Sequence, residues 1–249
     1  MSVIQKTAGI ILSARPFKES SLIVSILTKK FGRIKVVAKG CRRPRSKFCG
    51  ALEPFNRDEI IFYHRELKDL YTLSDAVVID GYPGIRGSLA RVTAAQVMCE
   101  FIDKALPPGE PDDRAYGLLS EFLGKTADEP ENSLPAFVAV FLVQGLAVAG
   151  IAPHLTDCVR CRAQISNRAP CVDFSVTAGG VVCAAHPDEA SLSIRLETVD
   201  ALRRLYGHRR VSVNRRIVDD LLALIPPYLA THLNGLTLNA LKHLLTESK

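Results

Sequence analysis

Cys158 and Cys161 form a C-x-x-C pair, and Cys183 and His186 repeat the same internal spacing. Each turn of this kind holds two donors on one side of an ion, and two turns together close a tetrahedron. Thiolates and an imidazole suit zinc. A tetrahedron filled by protein ligands leaves no position for a substrate, so a structural ion is expected rather than a catalytic one. Cys171 lies between the pairs and is an alternate ligand, most readily in place of His186. Scattered buried cysteines are the competing explanation, and the matched spacing argues against it.

The remaining chemistry-bearing residues form no recognised catalytic pattern. The sequence has no G-x-x-x-x-G-K-[ST] phosphate loop, no H-E-x-x-H and no G-x-S-x-G. Pro170-Cys171 is followed by Val172-Asp173-Phe174, which departs from the P-C-x-x-C of zinc deaminases. His64, His154, His208, His232 and His243 are isolated along the chain. A non-enzymatic protein is therefore expected. A zinc-dependent hydrolase is the rival enzyme reading, motivated by His154, Asp157 and Asp173 near the cysteines.

Positive charge is concentrated at the start. Up to Phe48 the cations are Lys6, Arg15, Lys18, Lys29, Lys30, Arg33, Lys35, Lys39, Arg42, Arg43, Arg45 and Lys47, against Glu19 alone. Cations of this density track phosphates, and rings offer bases a surface to stack on. Phe17, Phe31, Phe48, Phe55 and Tyr63 are the candidate rings. The expected phosphate contacts with nucleic acid are Lys35, Lys39, Arg42, Arg43, Arg45 and Lys47. A second cluster, Arg203, Arg204, His208, Arg209, Arg210, Arg215 and Arg216, either extends that path through Arg209 and Arg210, receives an acidic peptide, or is helix-end solvation. An RNA-binding or ribosome-associated zinc-ribbon protein fits the same charge.

These residues need elements to hold them. Runs at Ile10–Leu12, Leu22–Leu27, Ile34–Ala38, Glu59–Tyr63 and Leu70–Leu73 read as short strands. With turns between them and no long helix, they predict a small closed or partly open barrel. Leu89, Val92, Ala95, Gln96, Cys99 and Ile102 recur at helical spacing. Pro107-Pro108-Gly109 ends that helix, and Asp112 and Asp113 open the next. An apolar helix follows from about Leu134 to Ala149. The segment from Cys171 to Val182 predicts a small hairpin. Helices are expected over about Leu196–Tyr206, Asn214–Leu233 and Thr237–Leu245, with Pro226-Pro227 kinking or interrupting the middle one.

The chain has 249 residues, 47% hydrophobic, with a formal net charge of +6 and a pI near 9.0. It is long enough for several cores, and an anionic partner is expected. Seven cysteines without a small-disulfide spacing, and a start lacking a signal-peptide pattern, predict a reducing cytoplasm. The stretch Leu134–Pro153 is nearly long enough to cross a bilayer. Gln144, Gly145 and Gly150 interrupt it and no basic cluster flanks it, so a buried core helix is expected and no membrane partner.

Several stretches together resemble the RecO family of bacterial recombination mediators. They are Ser21–Thr28, Phe31–Gly40, Arg42–Phe48, Leu52-Glu53-Pro54-Phe55, Cys158-x-x-Cys161, Phe174-Ser175 with Gly179-Gly180, Cys183-x-x-His186, and the tail through Tyr228-Leu229, His232-Leu233, Leu238 and Leu241-Lys242. The resemblance implies an α+β multidomain chain. It would comprise an OB-fold nucleic-acid-binding domain at 1–82, a helical domain at 83–154 and 189–249, and an inserted zinc-ribbon-like module at 155–188. It implies binding of single- and double-stranded DNA, strand annealing, and work with RecR and the C-terminal tail of the single-stranded DNA-binding protein (SSB). Together these would load RecA in DNA-damage and SOS-response repair, in the cytoplasm at the nucleoid. The fourth zinc ligand in zinc-bearing members is usually Cys, and His186 stands there in this chain.

Overall fold

The computed structural model describes residues 3–65, 68–165, 169–186, 188, 191–207 and 211–247. They form two compact units, Met1–Glu131 and Asn132–Lys249.

In the first unit, β1 (Val3–Phe17), β2 (Ser21–Thr28), β3 (Gly32–Ala38), β4 (Arg57–His64) and β5 (Leu70–Asp80) close into a barrel in the order β1-β2-β3-β5-β4. All neighbours are antiparallel except β3 and β5, which pair in parallel over Lys35↔Leu70, Val36↔Tyr71 and Val37↔Thr72. Alternate residues point inward, so Ile11, Val24, Ile26, Ile34, Val36, Ile60, Phe62 and Leu73 make one apolar core. Closure gives every barrel strand a partner on both sides, β3 and β5 over three residue pairs only.

Two helices belong to the same unit. In α1 (Leu89–Ala105), the periodic Ala95, Cys99 and Ile102 are buried, whereas Leu89 and Gln96 are exposed. Val97, Met98 and Phe101 are buried as well, so α1 is covered over more of its circumference than a single stripe. It packs against β1, β2 and α2 (Asp113–Thr126). Asp103 of α1 accepts hydrogen bonds from Ser25 Oγ (2.6 Å) and Ser13 Oγ (3.2 Å) on the barrel, and pairs with Arg33 Nη1 at 3.4 Å. Arg33 Nε also donates to Leu106 O, and Gly109 N donates to Arg33 O. Gly32 has φ +60°, and a Cβ there would lie 2.1 Å from Glu110 O, so only glycine permits this approach. Asp112 caps α2, accepting from the backbone N–H groups of Arg114 and Ala115. Those donors hold its carboxyl below the usual range, against the opposing effect of burial.

In the second unit, α3 (Leu134–Val148) packs against α4 (Leu196–Tyr206) and α5 (Arg215–His232). With the preceding turn, α3 is the one helix among the described residues that is apolar and long enough to cross a membrane. Here it buries Leu134, Val138, Phe141, Leu142, Val143 and Leu146, as a core helix does. β6 (Cys171–Ser175) and β7 (Gly180–Val182) form the expected hairpin, and β8 (Ser191–Arg195) adds a third strand in the order β7-β6-β8. α6 (Asn239–Glu247) follows α5.

Of the two outcomes expected of Pro226 and Pro227, interruption does not occur: both lie inside α5. Both prolines are solvent-exposed, so the carbonyls they leave unpaired can bond water. Leu221, Leu222, Leu224, Ile225, Tyr228 and Leu229 are buried around them and hold the helix through the break in its ladder.

The Asp103 contact generates a stability prediction. Asp103→Ala leaves the buried Ser25 hydroxyl without its acceptor and removes the carboxylate that pairs with Arg33 Nη1, the Leu106 carbonyl remaining to Arg33 Nε. It should cost about 2–3 kcal/mol in urea unfolding, and Asp103→Asn should retain part of that. A change below about 0.5 kcal/mol would mean that the contact does not hold the helix to the barrel.

Candidate metal centre and basic face

The two ligand turns are built by backbone bonds. Cys158 N donates to Ala163 O at 2.9 Å, Arg162 N to Cys158 O at 2.8 Å, and His186 N to Cys183 O at 2.9 Å. Arg162, just past the first pair, takes φ +64° to complete its turn. Val159 N donates to Val181 O, which ties the first turn to the strand leading into Cys183. Donor atoms of Cys158, Cys161, Cys183 and His186 consequently lie within 4.8 Å of one another. Cys161 and Cys183 sulfurs are 3.7 Å apart, and Cys183 Sγ is 3.4 Å from His186 Nδ1.

Burial opposes ionisation of Cys158, but backbone N–H groups of Cys183, Cys161 and Arg160 outweigh it and bring the thiol down to about 6. A buried sulfur ringed by N–H donors is suited to carrying negative charge, as a metal thiolate does. Three sulfurs and one imidazole nitrogen in a cluster of this size fit a tetrahedral zinc. Bound there, zinc would cross-link the two turns and stabilise the module.

Other residues near the cluster have separate partners. Cys171 is exposed on β6 opposite Arg195 and is not among the converging donors. His154 Nε2 is 2.7 Å from Asp157 Oδ1, and Arg162 reaches both. Asp157 is held below the usual carboxylate range, first by His154 and then, against some desolvation, by Arg162. Asp173 lies on β6 opposite Val182 and Ser193. The three residues that motivated a hydrolase are thus not gathered with the four donors.

The barrel carries the basic face. Some of its cations are compensated: Lys6 by Glu59 (2.7 Å), Arg57 by Asp80 (3.8 Å) and Arg86 by Glu53 (3.3 Å). Lys35, Lys39, Arg42, Arg43, Arg45 and Lys47 are all exposed and make no ion pair among the described residues. Five of these six lie on the loop between β3 and β4. That loop is anchored by Arg42 N to Ser20 O, Leu52 N to the buried Asp58 carboxylate, and Asn56 Nδ2 to Gly50 O. Burial pushes the Asp58 carboxyl up.

A shallow groove of about 480 Å³ lies beside this loop, lined by Lys39, Tyr63, Arg65, Lys68, Leu70, Tyr71 and Thr72. Arg65 and Lys68 were not singled out from the sequence, because they stand beside Glu66 and Asp69 and read there as mixed charge. In the second unit, Arg203 bonds Leu155 O and Asp200, and Arg215 pairs with Asp219. Arg204 and Arg216 are exposed without an ion pair among the described residues. Arg209 and Arg210, with His208, lie outside the described residues.

Comparison with known proteins decides the family. Residues 1–82 match the family model described as Recombination protein O N terminal, and residues 86–242 match Recombination protein O C terminal. The chain belongs to the RecO family. It is 27% identical to the DNA repair protein RecO of Alkaliphilus metalliredigens, across 95% of this chain and 97% of that protein. It is 32% identical to the DNA repair protein RecO of Anaeromyxobacter dehalogenans, across 80% and 78%. It is 37% identical to that of Streptomyces griseus, across 70% and 71%. RecO membership places the chain in DNA repair and recombination and agrees with the resemblance seen in the sequence.

The donor set predicts about one zinc per chain in protein purified without chelator. Cys158→Ser and Cys183→Ser should lose the metal and lower Tm, whereas Cys171→Ser should keep both. Because thiolates and neutral imidazole bind the ion, zinc affinity should fall steadily as pH is lowered. Metal analysis and thermal unfolding with and without a chelator check these outcomes.

Proposed function

We propose that this chain is a DNA-binding recombination mediator without enzymatic activity. In this reading it anneals complementary single strands and, with RecR, helps load RecA onto SSB-coated DNA during gap and break repair. The observation that carries it is the set of uncompensated cations on a closed five-stranded barrel in a chain of this family. The strand order supports an OB-fold over residues 1–82, and the Cys/His cluster supports a zinc-ribbon-like module over 155–188 inserted in a helical domain. The expected setting is the cytoplasm, at the nucleoid.

The physics of annealing fits such a surface. Complementary strands repel through their phosphates, and annealing breaks no covalent bond. A basic surface that holds both strands releases counterions, lowers the repulsion and raises their local concentration. Lys35, Lys39, Arg42, Arg43, Arg45 and Lys47 are the proposed phosphate contacts, and zinc is the proposed structural ion. The acidic tail of SSB would require an apolar pocket rimmed by Arg or Lys.

Reversing Arg42, Arg43 and Arg45 to Glu should weaken single-strand binding on the order of tenfold or more. It should also flatten the dependence of log affinity on log salt by about 2. An unchanged slope would remove these arginines from the interface. In an annealing assay on SSB-coated strands, the wild-type chain should accelerate pairing without ATP, and less so when the SSB tail is deleted. Failure to anneal coated or bare strands, or a clear preference for RNA of equal length, would overturn the reading.

A further inference from the structure

The groove beside the basic loop contains a ring that the protein itself leaves unused. Of the five rings singled out in the sequence, Phe48 and Phe55 are core residues at 5% and 8% exposure. Phe31 packs edge-on against Phe62 and lies 5.8 Å from His64. Phe17 lies beneath the Lys18 ammonium. Tyr63 remains, 39% exposed. Among the described residues its phenol makes no hydrogen bond and its ring meets no other ring. Tyr71, the second tyrosine of the groove, is already engaged, stacked on His64 at 5.0 Å and tilted against Phe62 at 5.4 Å.

The ring's surroundings are cationic. Lys39, Arg65 and Lys68 line the same groove, and none of the described lining side chains is acidic. Strand register places them together. Tyr63 pairs with Thr72 across β4 and β5, Thr72 pairs with Val37, and Leu70 pairs with Lys35 across the parallel ladder. One exposed aromatic face with several cations within a single groove matches a nucleotide, which presents a π-face and a phosphate at short range. An acidic peptide would use the cations but has no general need for an open ring.

We propose that Tyr63 stacks on an unpaired nucleobase of bound single-stranded DNA, with Arg65 and Lys68 holding the adjoining phosphates. This deepens the DNA-binding reading above and depends on it. The consequence is selectivity: a duplex keeps its bases stacked on one another and offers Tyr63 no face, so this contact favours single strands.

The test uses the full-length protein and an oligothymidylate. The chain has six tyrosines and no tryptophan, so tyrosine emission is read directly. Tyr63→Ala should weaken single-strand binding on the order of tenfold, with duplex affinity, salt slope and Tm unchanged. Tyr63→Phe should retain the affinity but lose the part of the fluorescence quench that Tyr63 supplies. Arg65→Ala and Lys68→Ala should each flatten the single-strand salt slope by about 0.7. Equal loss of single-strand and duplex binding in Tyr63→Ala, or no loss of either, would sink the stacking role while leaving the DNA-binding reading intact. So would loss of binding to an acidic peptide alone. If the wild-type chain bound no single-stranded DNA, the broader reading would fail first.

Discussion

The short parallel ladder between β3 and β5 is the constraint on which the first unit depends. Only three residue pairs form it, yet without it the sheet would end in two free edges. Closing the sheet sends one alternate set of side chains into a dry interior and the other into water. A chain opening with many cations and almost no acid can then fold without burying any of them unpaired. The same ladder carries the start of β5 against the end of β3. That is how Leu70, Tyr71 and Thr72 come to share a groove with Lys39. The fold that hides the apolar residues also gathers the charged ones.

The second unit solves a different problem. Its cysteine-bearing turns have few apolar residues of their own. The first is held by a backbone bond to β7, and the chain before and between the two turns is tied to α5. Tyr228 donates to Ile151 O at 3.0 Å, and His232 Nε2 lies 2.7 Å from Val176 O. Gly180 is pressed against the backbone of His154 so closely that a Cβ would lie 2.4 Å from its oxygen. A module of this kind gains rigidity from a bound ion more cheaply than from added hydrophobic surface.

Much of this was legible in the residues. The ligand pairs, the five strands and most helix limits follow from spacing, periodicity and the placement of Pro, Gly and Asp. Four things were not. β8 runs directly into α4, and the alternation of its Ser-Leu-Ser-Ile-Arg is too short to stand apart from the helix that follows. The continuity of α5 through two prolines is a tertiary effect, invisible to local propensity. Which rings are core and which are exposed depends on tertiary structure: Phe48 sits on the β3–β4 loop and packs into the barrel core, whereas Tyr63 on β4 is left exposed, and nothing local to either residue separates them. Arg65 and Lys68 were masked by neighbouring acids for the same reason, since distance along the chain is a poor guide to distance across a sheet.

The contact between Asp103 and the barrel bears on how the chain can be divided. The two family matches meet between Tyr82 and Arg86, which invites a cut there. The compact unit, however, runs on to Glu131. A fragment ending at residue 82 would lose the carboxylate facing Ser13, Ser25 and Arg33, and would uncover barrel surface that α1 shields. The border of the compact unit lies after α2, where the homology border gives no sign of it.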